Sequence, residues 1–237
     1  MQLILLSAGR GSRLPKELRS KPKSLAKVND KPIIEHNLKF FNKFKKKFIV
    51  TGYKQKSLVN FAKKYGFKMV HNSKFQKTNM VYSMFLPSKY ITKDVVICYG
   101  DIIFDHKIYN LLNKKDNIIP LNINWLKIWR KRMSKNNIKK DAENVLVKNN
   151  VLLSIGGTIN KNFPKYQYMG IFKLKRKNYF NLKKFFVKIK NPKIDMTNFL
   201  NTSIKHYKLK LKIRKYKSYW YEIDNKKGLI VSSKDLK

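Results

Sequence analysis

The chain has 237 residues, 43% of them hydrophobic, which is enough for one sizeable core, so we predict a single domain over residues 1–237. A single cysteine excludes a disulfide framework and a cysteine-based zinc site. The 55 Lys and Arg against 13 Asp and Glu give a net charge of +42, which alone favours nucleic-acid binding; the excess, however, is nearly all lysine, spread evenly as A/T-rich codon usage would produce.

Apolar runs are short throughout the sequence. The longest, residues 3–6 and 95–99, fall far short of the roughly 20 residues that a membrane-spanning helix needs. The N-terminus begins with a strand-like run and lacks the basic region of a signal peptide. We therefore expect a cytoplasmic protein without a membrane partner.

Strand-like and helix-like segments alternate in the first half of the chain. The apolar patterns predict strands at 2–7, 47–51, 68–71 and 94–99, and helices at 30–44, 55–65 and 79–86. Such alternation implies an α/β fold with a doubly wound, mixed but mainly parallel sheet, whose ligands gather at the carboxyl ends of the strands. The loops that follow the four strands should therefore surround one crevice.

The second half is less regular. Its patterns predict a basic helix at 125–134, a hairpin at 145–155, a strand at 166–174, a helix at 193–207 and strands at 209–215 and 219–223. Residues 125–165 are the best candidate for a small inserted subdomain that binds an acceptor substrate. Trp125 and Trp129 lie on one helical face, where core packing is the expected role.

A glycine-rich loop follows the first predicted strand. Gly9 and Gly11 let the backbone approach a phosphate or a base, while Arg13 and Lys23 can neutralise a triphosphate. The dinucleotide-binding fingerprint is excluded because its third glycine position is Leu14, and no Gly-Lys-Ser/Thr follows as a P-loop requires. An ordinary tight turn remains an alternative for the glycines alone.

Two acidic motifs stand out in a chain with only 13 carboxylates. Asp101 follows Gly100 at the carboxyl end of a strongly apolar strand, where the crevice should be. Glu222 and Asp224 alternate with apolar residues, so both point to one side of a strand. The competing interpretation for Asp101 is a turn-forming aspartate, and for Glu222 and Asp224 it is a solvent-facing strand edge.

The complete N-terminal string resembles a known family. Leu6-Ser7-Ala8-Gly9-Arg10-Gly11-Ser12-Arg13-Leu14, followed by Pro22-Lys23-Ser24-Leu25, is similar to the opening motif of the nucleotidyltransferases that activate sugar phosphates and phosphocholine. The resemblance implies a Rossmann-like nucleotidyltransferase fold, catalytic roles for Arg13 and Lys23, and an Mg²⁺ cofactor held by Asp101 and Asp224. The residues that it implies for nucleotide binding are Leu6, Ser7, Ala8, Gly9, Gly11, Ser12, Arg13, Lys23, Asn79 and Gly100.

Three further strings, 72–83, 125–143 and 166–170, resemble bacterial cytidylyltransferases of the phosphocholine or phosphoglutamine type. This resemblance implies CTP as the preferred nucleotide and a small phosphorylated, amine-bearing acceptor. Arg130 and Arg132 would clamp the acceptor phosphate, and Asp141 and Glu143 would receive its amine. The other residues assigned to acceptor binding are Gln167, Tyr168 and Glu222.

Three alternatives stay open at this stage. A solvated basic helix with an acidic cap would explain residues 125–143 without any ligand. The alternative enzyme is a sugar-1-phosphate nucleotidyltransferase that uses UTP, GTP or dTTP. A basic nucleic-acid-binding protein is the alternative of another class, although no helix-turn-helix, RNA-recognition sheet or zinc finger is visible, so we predict no nucleic-acid partner.

Overall fold

The structure is a computed structural model that describes residues 1–159 and 162–236. The strands are β1 Gln2–Ser7, β2 Lys27–Val28, β3 Lys31–Pro32, β4 Lys47–Thr51, β5 Phe67–His71, β6 Val95–Tyr99, β7 Ile102–Phe104, β8 Ile118–Asn122, β9 Val145–Lys148, β10 Val151–Ile155, β11 Gln167–Tyr168, β12 Ile171–Leu174, β13 Lys212–Tyr216 and β14 Trp220–Glu222. The α-helices are α1 Ile33–His36, α2 Leu38–Phe41, α3 Val59–Lys64, α4 Met80–Phe85, α5 Ile108–Leu112, α6 Trp125–Arg130, α7 Lys135–Asp141, α8 Arg176–Ile189, α9 Met196–Tyr207 and α10 Lys226–Asp235. None of the described helices has the length and apolar content needed to cross a bilayer.

One central sheet organises the molecule, with strand order β5-β4-β1-β6-β12-β8-β13-β10-β9 and β11 beside β8. The strands β5, β4, β1 and β6 are parallel to one another, and β8 is parallel to β13, whereas β12 runs antiparallel to both β6 and β8. The predicted mixed, mainly parallel α/β sheet is thus confirmed.

Both faces of the sheet are covered, which explains the continuous apolar run of β1. Leu3 and Leu5 pack into one cluster with α2 and α6, while Ile4 and Leu6 pack into the opposite cluster with α8 and α9. Every residue of β1 is buried. A strand buried on both sides needs apolar side chains at all positions, not at alternate ones. The carboxyl end of β1 is therefore held firmly in the middle of the sheet.

A separate two-stranded sheet brings the C-terminal region to the end of β6. Strand β14 pairs antiparallel with β7, with Glu222 opposite Ile102, and the Ile223 amide donates to the Asp101 carbonyl at 2.9 Å. The predicted strand at 219–223 is thus present, but its partner β7 was not predicted. This pairing places the second acidic motif directly beside the first.

Two predicted elements are interrupted. The helix predicted at 30–44 is split into α1 and α2 at Asn37, whose buried side chain donates to the Ile102 carbonyl and accepts from the Phe104 amide. The strand predicted at 166–174 is split into β11 and β12 at Gly170, which has a φ of +73°. An ideal Cβ at Gly170 would lie 2.6 Å from the Tyr99 ring, so close packing also requires glycine there.

Residues 125–165 do not form a separate layer in their described part. They contain α6, α7 and the hairpin β9–β10, and β10 pairs with β13 at the edge of the central sheet. Trp125 and Trp129 are buried with ring centroids 5.2 Å apart, as expected for core packing. The helix predicted at 125–134 ends earlier, at Arg130.

Candidate functional site

Two neighbouring cavities open at the carboxyl ends of the parallel strands. The first cavity lies between the loop after β1, the N-terminus of α4 and the end of β6; the second lies between the end of β6, β11, α9 and β14. Met80 and Tyr99 line both cavities. The crevice predicted from strand alternation therefore has two compartments that share a wall.

Most residues predicted to bind nucleotide line the first cavity. They are Leu6, Ser7, Ala8, Gly9, Lys23, Asn79 and Gly100. Arg13 lines the second cavity, and Ser12 is exposed. The Asn79 side chain caps α4, since its Oδ1 accepts from the Met80 amide at 2.7 Å. Its Nδ2 donates to the Lys193 carbonyl at 3.3 Å, so both polar atoms of the Asn79 side chain have hydrogen-bond partners within the protein.

Lys23 joins the two acidic motifs at the boundary of the cavities. Its ammonium donates to Asp101 Oδ2 at 2.6 Å and also to Asp224 Oδ1. Asp101 lines the first cavity and Asp224 the second, and the Arg13 guanidinium lies 3.2 Å from Asp224 Oδ2. Three segments that are distant in sequence thus meet at one ammonium group.

The electrostatics of this cluster follow from burial and pairing. Burial alone would lower the pKa of Lys23, but the carboxylates of Asp101 and Asp224 outweigh it and raise that pKa above its usual value. Burial opposes ionisation of Asp224, yet Lys23 more than offsets this and holds the pKa of Asp224 below its usual value. Burial together with Asp224 and Asp101 raises the pKa of Glu222.

The residues predicted to bind the acceptor divide into two groups. Those that line the second cavity are Asp141, Glu143, Gln167, Tyr168 and Glu222. Arg130 is exposed on α6 and is not among the described residues lining either cavity. Arg132 is buried: its Nη1 donates to the Glu222 carbonyl at 3.2 Å, and its guanidinium lies 4.9 Å from the Trp129 ring centroid. In the structure the guanidinium of Arg132 therefore contacts Glu222 and helps to hold it in position.

Several lining residues were not predicted. In the first cavity they include Ser24, whose hydroxyl bonds that of Ser7, and Phe75, Thr78 and Ser83. In the second they include Asp195 and Thr197 at the N-terminus of α9. The string 72–83 carried a signal for Phe75, Thr78 and Ser83, and the string 22–25 carried one for Ser24, whereas Asp195 lay within the predicted helix 193–207 and in no motif.

Comparison with known proteins agrees with this geometry. Residues 3–115 match the model of the MobA-like NTP transferase domain. A CTP:phosphoglutamine cytidylyltransferase from Campylobacter jejuni is 31% identical over 185 residues, which are 73% of this chain and 72% of that protein. The chain belongs to the MobA-like NTP transferase family. It is a nucleotidyltransferase.

Two further relatives extend the comparison. A choline-phosphate cytidylyltransferase from Streptococcus pneumoniae is 31% identical over 116 residues, 48% of this chain and 51% of that protein. The inositol-1-phosphate CTP transferase from T. maritima matches with a TM-score of 0.80 over 98% of this chain and 95% of that chain, at 20% identity. At that identity the structural match shows that this nucleotidyltransferase shares the fold.

The nucleotidyltransferase presents donors that suit a hard divalent cation. Asp101 Oδ1 is buried without a hydrogen-bond partner among the described residues, Asp101 Oδ2 and Asp224 Oδ1 face the Lys23 ammonium, and Asp224 Oδ2 faces the Arg13 guanidinium. Within the described residues, no group of three or more His, Cys, Asp or Glu forms a closed metal cage. Two carboxylates fit Mg²⁺, which commonly keeps its remaining positions for water and substrate phosphates.

Gly11 fixes the distance between the glycine loop and Lys23. Its φ is +68°, and an ideal Cβ would lie 2.9 Å from Lys23 Cβ. We expect Gly11→Ala to raise the KM for nucleotide roughly 10-fold, because the left-handed strain of about 1–2 kcal/mol adds to a displacement of Lys23. Gly66→Ala is the matched control, since Gly66 has a φ of +67° with no atom within 4 Å of its ideal Cβ. Steady-state kinetics showing equal KM values for both variants would contradict the role of this contact.

Proposed function

We propose that this nucleotidyltransferase transfers CMP from CTP to a small phosphorylated, amine-bearing acceptor and releases pyrophosphate. The observation that carries the proposal is Lys23 between Asp101 and Asp224, where the two cavities meet. One compartment suits the nucleotide and the other suits the acceptor, so the reacting phosphates meet beside these three side chains. The similarity to two cytidylyltransferases supports CTP as the donor.

The proposed reaction needs no general base. An oxygen of the ionised acceptor phosphate attacks the α-phosphorus in line; the new P–O bond forms as the bond to the β-phosphate oxygen breaks, and pyrophosphate leaves with that electron pair. Lys23 and Arg13 neutralise the charge on the phosphates, and the backbone of the glycine loop orients the nucleotide. Asp101 and Asp224 would hold Mg²⁺, which supplies charge neutralisation and orientation of the phosphate oxygens when bound.

The acceptor would bind in the second cavity. Glu143, Gln167 and Tyr168 line it, together with Glu222 and with Asp224, which contacts Lys23. The segment 125–165, within a single domain, would contribute specificity through Asp141 and Glu143. We do not extend the proposed phosphate clamp to Arg130, which is exposed, or to Arg132, which contacts Glu222.

A nucleotide panel tests the donor without knowledge of the acceptor. The measurement is thermal stability with CTP, UTP, ATP, GTP or dTTP in the presence of Mg²⁺. A ligand at about 100 times its Kd adds roughly 2.7 kcal/mol, which in a chain of this size raises Tm by about 5–10 °C. We expect that shift for CTP and smaller shifts for the other four.

Inorganic pyrophosphate at matched ionic strength is the control for the net charge of +42. Preference for UTP, GTP or dTTP would redirect the proposal to a sugar-1-phosphate nucleotidyltransferase. Equal small shifts from all five nucleotides, lost on adding salt, would mean that charge alone binds them and would contradict the proposal.

A further inference from the structure

The second cavity is unusually acidic for this chain. Five of its lining residues, Asp141, Glu143, Asp195, Glu222 and Asp224, belong to the 13 acidic residues of the sequence. Among the described lining residues Arg13 is the one with a basic side chain. Glu222 and Asp224 are already paired with Arg132, Arg13 and Lys23. The remaining three, which we call the acidic wall (Asp141, Glu143 and Asp195), lack such pairing.

Glu143 is half-buried in the acidic wall, as is Asp195, whereas Asp141 is exposed. No salt bridge to its carboxylate occurs in the described part of the chain, although that chain carries 55 Lys and Arg. Burial and the neighbouring Asp195 raise the pKa of Glu143. Keeping a carboxylate away from water without a counter-ion is costly, so a cation from outside the protein would stabilise this arrangement.

The hydrogen bonds of the acidic wall leave acceptors in excess. The Thr197 hydroxyl lies 2.6 Å from Glu143 Oε1 and 3.0 Å from Asp195 Oδ1, but it has one proton for two carboxylates. Asp195 also caps α9: its Oδ1 accepts from the Asn198 backbone amide at 2.8 Å and its Oδ2 from the Asn198 side-chain amide at 2.6 Å, which fixes its position and leaves Glu143 as the less satisfied carboxylate. The wall therefore offers unused lone pairs in a fixed geometry.

Besides the Tyr168 hydroxyl, two buried polar atoms of residues that line the cavity have no hydrogen-bond partner among the described residues. Gln167 is 4% exposed, and its buried Oε1 accepts no hydrogen bond. Trp220 is 2% exposed, and its buried Nε1 donates none. Gln167 Oε1 adds a hydrogen-bond acceptor beside the acidic wall, and Trp220 Nε1 offers a donor to an oxygen of a ligand bound in the cavity. A ligand with N–H donors on a cationic group would satisfy the acceptors.

The aromatic side chains of the cavity do not form an open cage for a quaternary amine. Trp129 stacks on Trp220 with ring centroids 6.1 Å apart, and the guanidinium of Arg132 lies 4.9 Å from the Trp129 ring centroid. Protein groups therefore already contact the indole that a cation–π site would use.

We propose that the acidic wall and Gln167 recognise an ammonium that retains N–H donors, so that the acceptor is a phosphorylated primary or secondary amine or an amino acid. The inference rests on the proposed function, whose acceptor compartment it specifies, and it assigns Asp195 and Thr197 as positioning residues for Glu143. A trimethylammonium group has the charge but no N–H, and a sugar phosphate has neither. A trimethylammonium group would leave Gln167 Oε1 without a donor, and a sugar phosphate, although its hydroxyls can donate, would leave the Glu143 carboxylate without a counter-ion; a buried site discriminates against both.

A methylation series tests the inference. Phosphoethanolamine, its N-methyl and N,N-dimethyl derivatives and phosphocholine keep a positive charge but lose N–H donors one at a time. With CTP and Mg²⁺, we expect kcat/KM for pyrophosphate release to fall along the series, by on the order of 100-fold or more overall. O-phosphoserine extends the test to amino acids, and glucose 1-phosphate serves as the comparison that lacks a cationic group.

Glu143→Gln isolates the charge, because the amide oxygen still accepts from Thr197. We expect kcat/KM for the best amine to fall roughly 10- to 100-fold, with the Tm shift on adding CTP unchanged. Asp195→Asn should give a smaller loss, since asparagine retains the helix cap. Asp116→Asn is the matched control: Asp116 pairs with Lys212 and is not among the described residues lining the second cavity.

The outcomes separate this inference from the proposed function. Equal or better turnover of phosphocholine or glucose 1-phosphate, or equal kinetics for Glu143→Gln and Asp116→Asn, would overturn the N–H recognition while leaving CMP transfer intact. Absence of turnover with every amine despite a CTP-specific Tm shift would also overturn it and leave nucleotide binding standing. Absence of both turnover and a CTP shift would remove the proposed function itself.

Discussion

Asp101→Asn should lower kcat by on the order of 1,000-fold while the protein stays folded. Asparagine keeps the shape of the side chain but removes the charge that faces the Lys23 ammonium at 2.6 Å. It also weakens the two-carboxylate site that we assign to Mg²⁺, since neutral amide oxygen binds that ion less strongly than carboxylate. Because the proposed catalysis consists of positioning and charge neutralisation, few other groups could compensate.

The neighbouring Asp105 supplies the control for that variant. Its side chain is 16% exposed against 21% for Asp101, and it contacts Ser218 and His106 outside the two cavities. Asp105→Asn should therefore leave kcat within about threefold of the wild type if the effect is local to the site. The rate of pyrophosphate release with CTP and the best acceptor gives kcat for both variants. More than a tenth of the wild-type kcat in Asp101→Asn would remove Asp101 from the metal site.

The first half of the fold could be predicted because its signals are local. Each strand there is a short apolar run bounded by a turn or a helix, and strands of this kind become the buried parallel strands β1, β4, β5 and β6. The break at Asn37 could not be predicted, because it depends on hydrogen bonds to β7, 65 residues away. The break at Gly170 could not be predicted either, because it depends on the close packing of Gly170 against the Tyr99 ring.

The candidate site was predicted in its parts but not in its contacts. The rule that ligands gather at the carboxyl ends of strands identified Asp101, and Lys23 was identified as a cation able to neutralise a triphosphate and through the family resemblance. Their meeting with Asp224, 201 residues after Lys23, depends on the pairing of β14 with β7. The three-residue apolar run of β7 has no distinctive pattern, so the sequence contained no local signal for that pairing.

Asp195 shows how a correct local interpretation can hide a second role. The apolar pattern predicts a helix at 193–207, and Asp195 caps the helix α9 that the structure has there. Its carboxylate also belongs to the acidic wall, because β9 and the segment before it bring Glu143 to Thr197 across 54 residues. The scarcity of carboxylates in a chain of net charge +42 was the one sequence signal that pointed beyond the cap.

Lys23→Met should reduce both turnover and stability, and added Mg²⁺ should restore more stability to the variant than to the wild type. Without the ammonium, Asp101 and Asp224 face each other with Arg13 as the remaining contact of Asp224. Removing one partner of a buried ion pair costs about 3–5 kcal/mol in the free energy of unfolding. In the wild type Lys23 would compete with Mg²⁺ for these oxygens, whereas in the variant the proposed ion would meet no such competitor.

The pH at which to measure this follows from the two pKa shifts. The raised pKa of Lys23 stabilises the fold below the usual lysine value of about 10.4, and this contribution is lost as pH rises through the folded-state pKa. The lowered pKa of Asp224 stabilises the fold above the usual aspartate value of about 3.9, and this is lost as pH falls through the folded-state pKa. Both contributions are fully present near pH 7.

Urea unfolding at pH 7, with and without Mg²⁺, measures the effect, and Lys21→Met is the control because Lys21 is exposed two residues earlier. We expect the control to match the wild type in both conditions. If Lys23→Met is as stable as the control without Mg²⁺, the ion pair contributes nothing to folding. If Mg²⁺ stabilises both variants equally, Lys23 and the metal do not share the two aspartates, and the assignment of this cluster as the magnesium site fails.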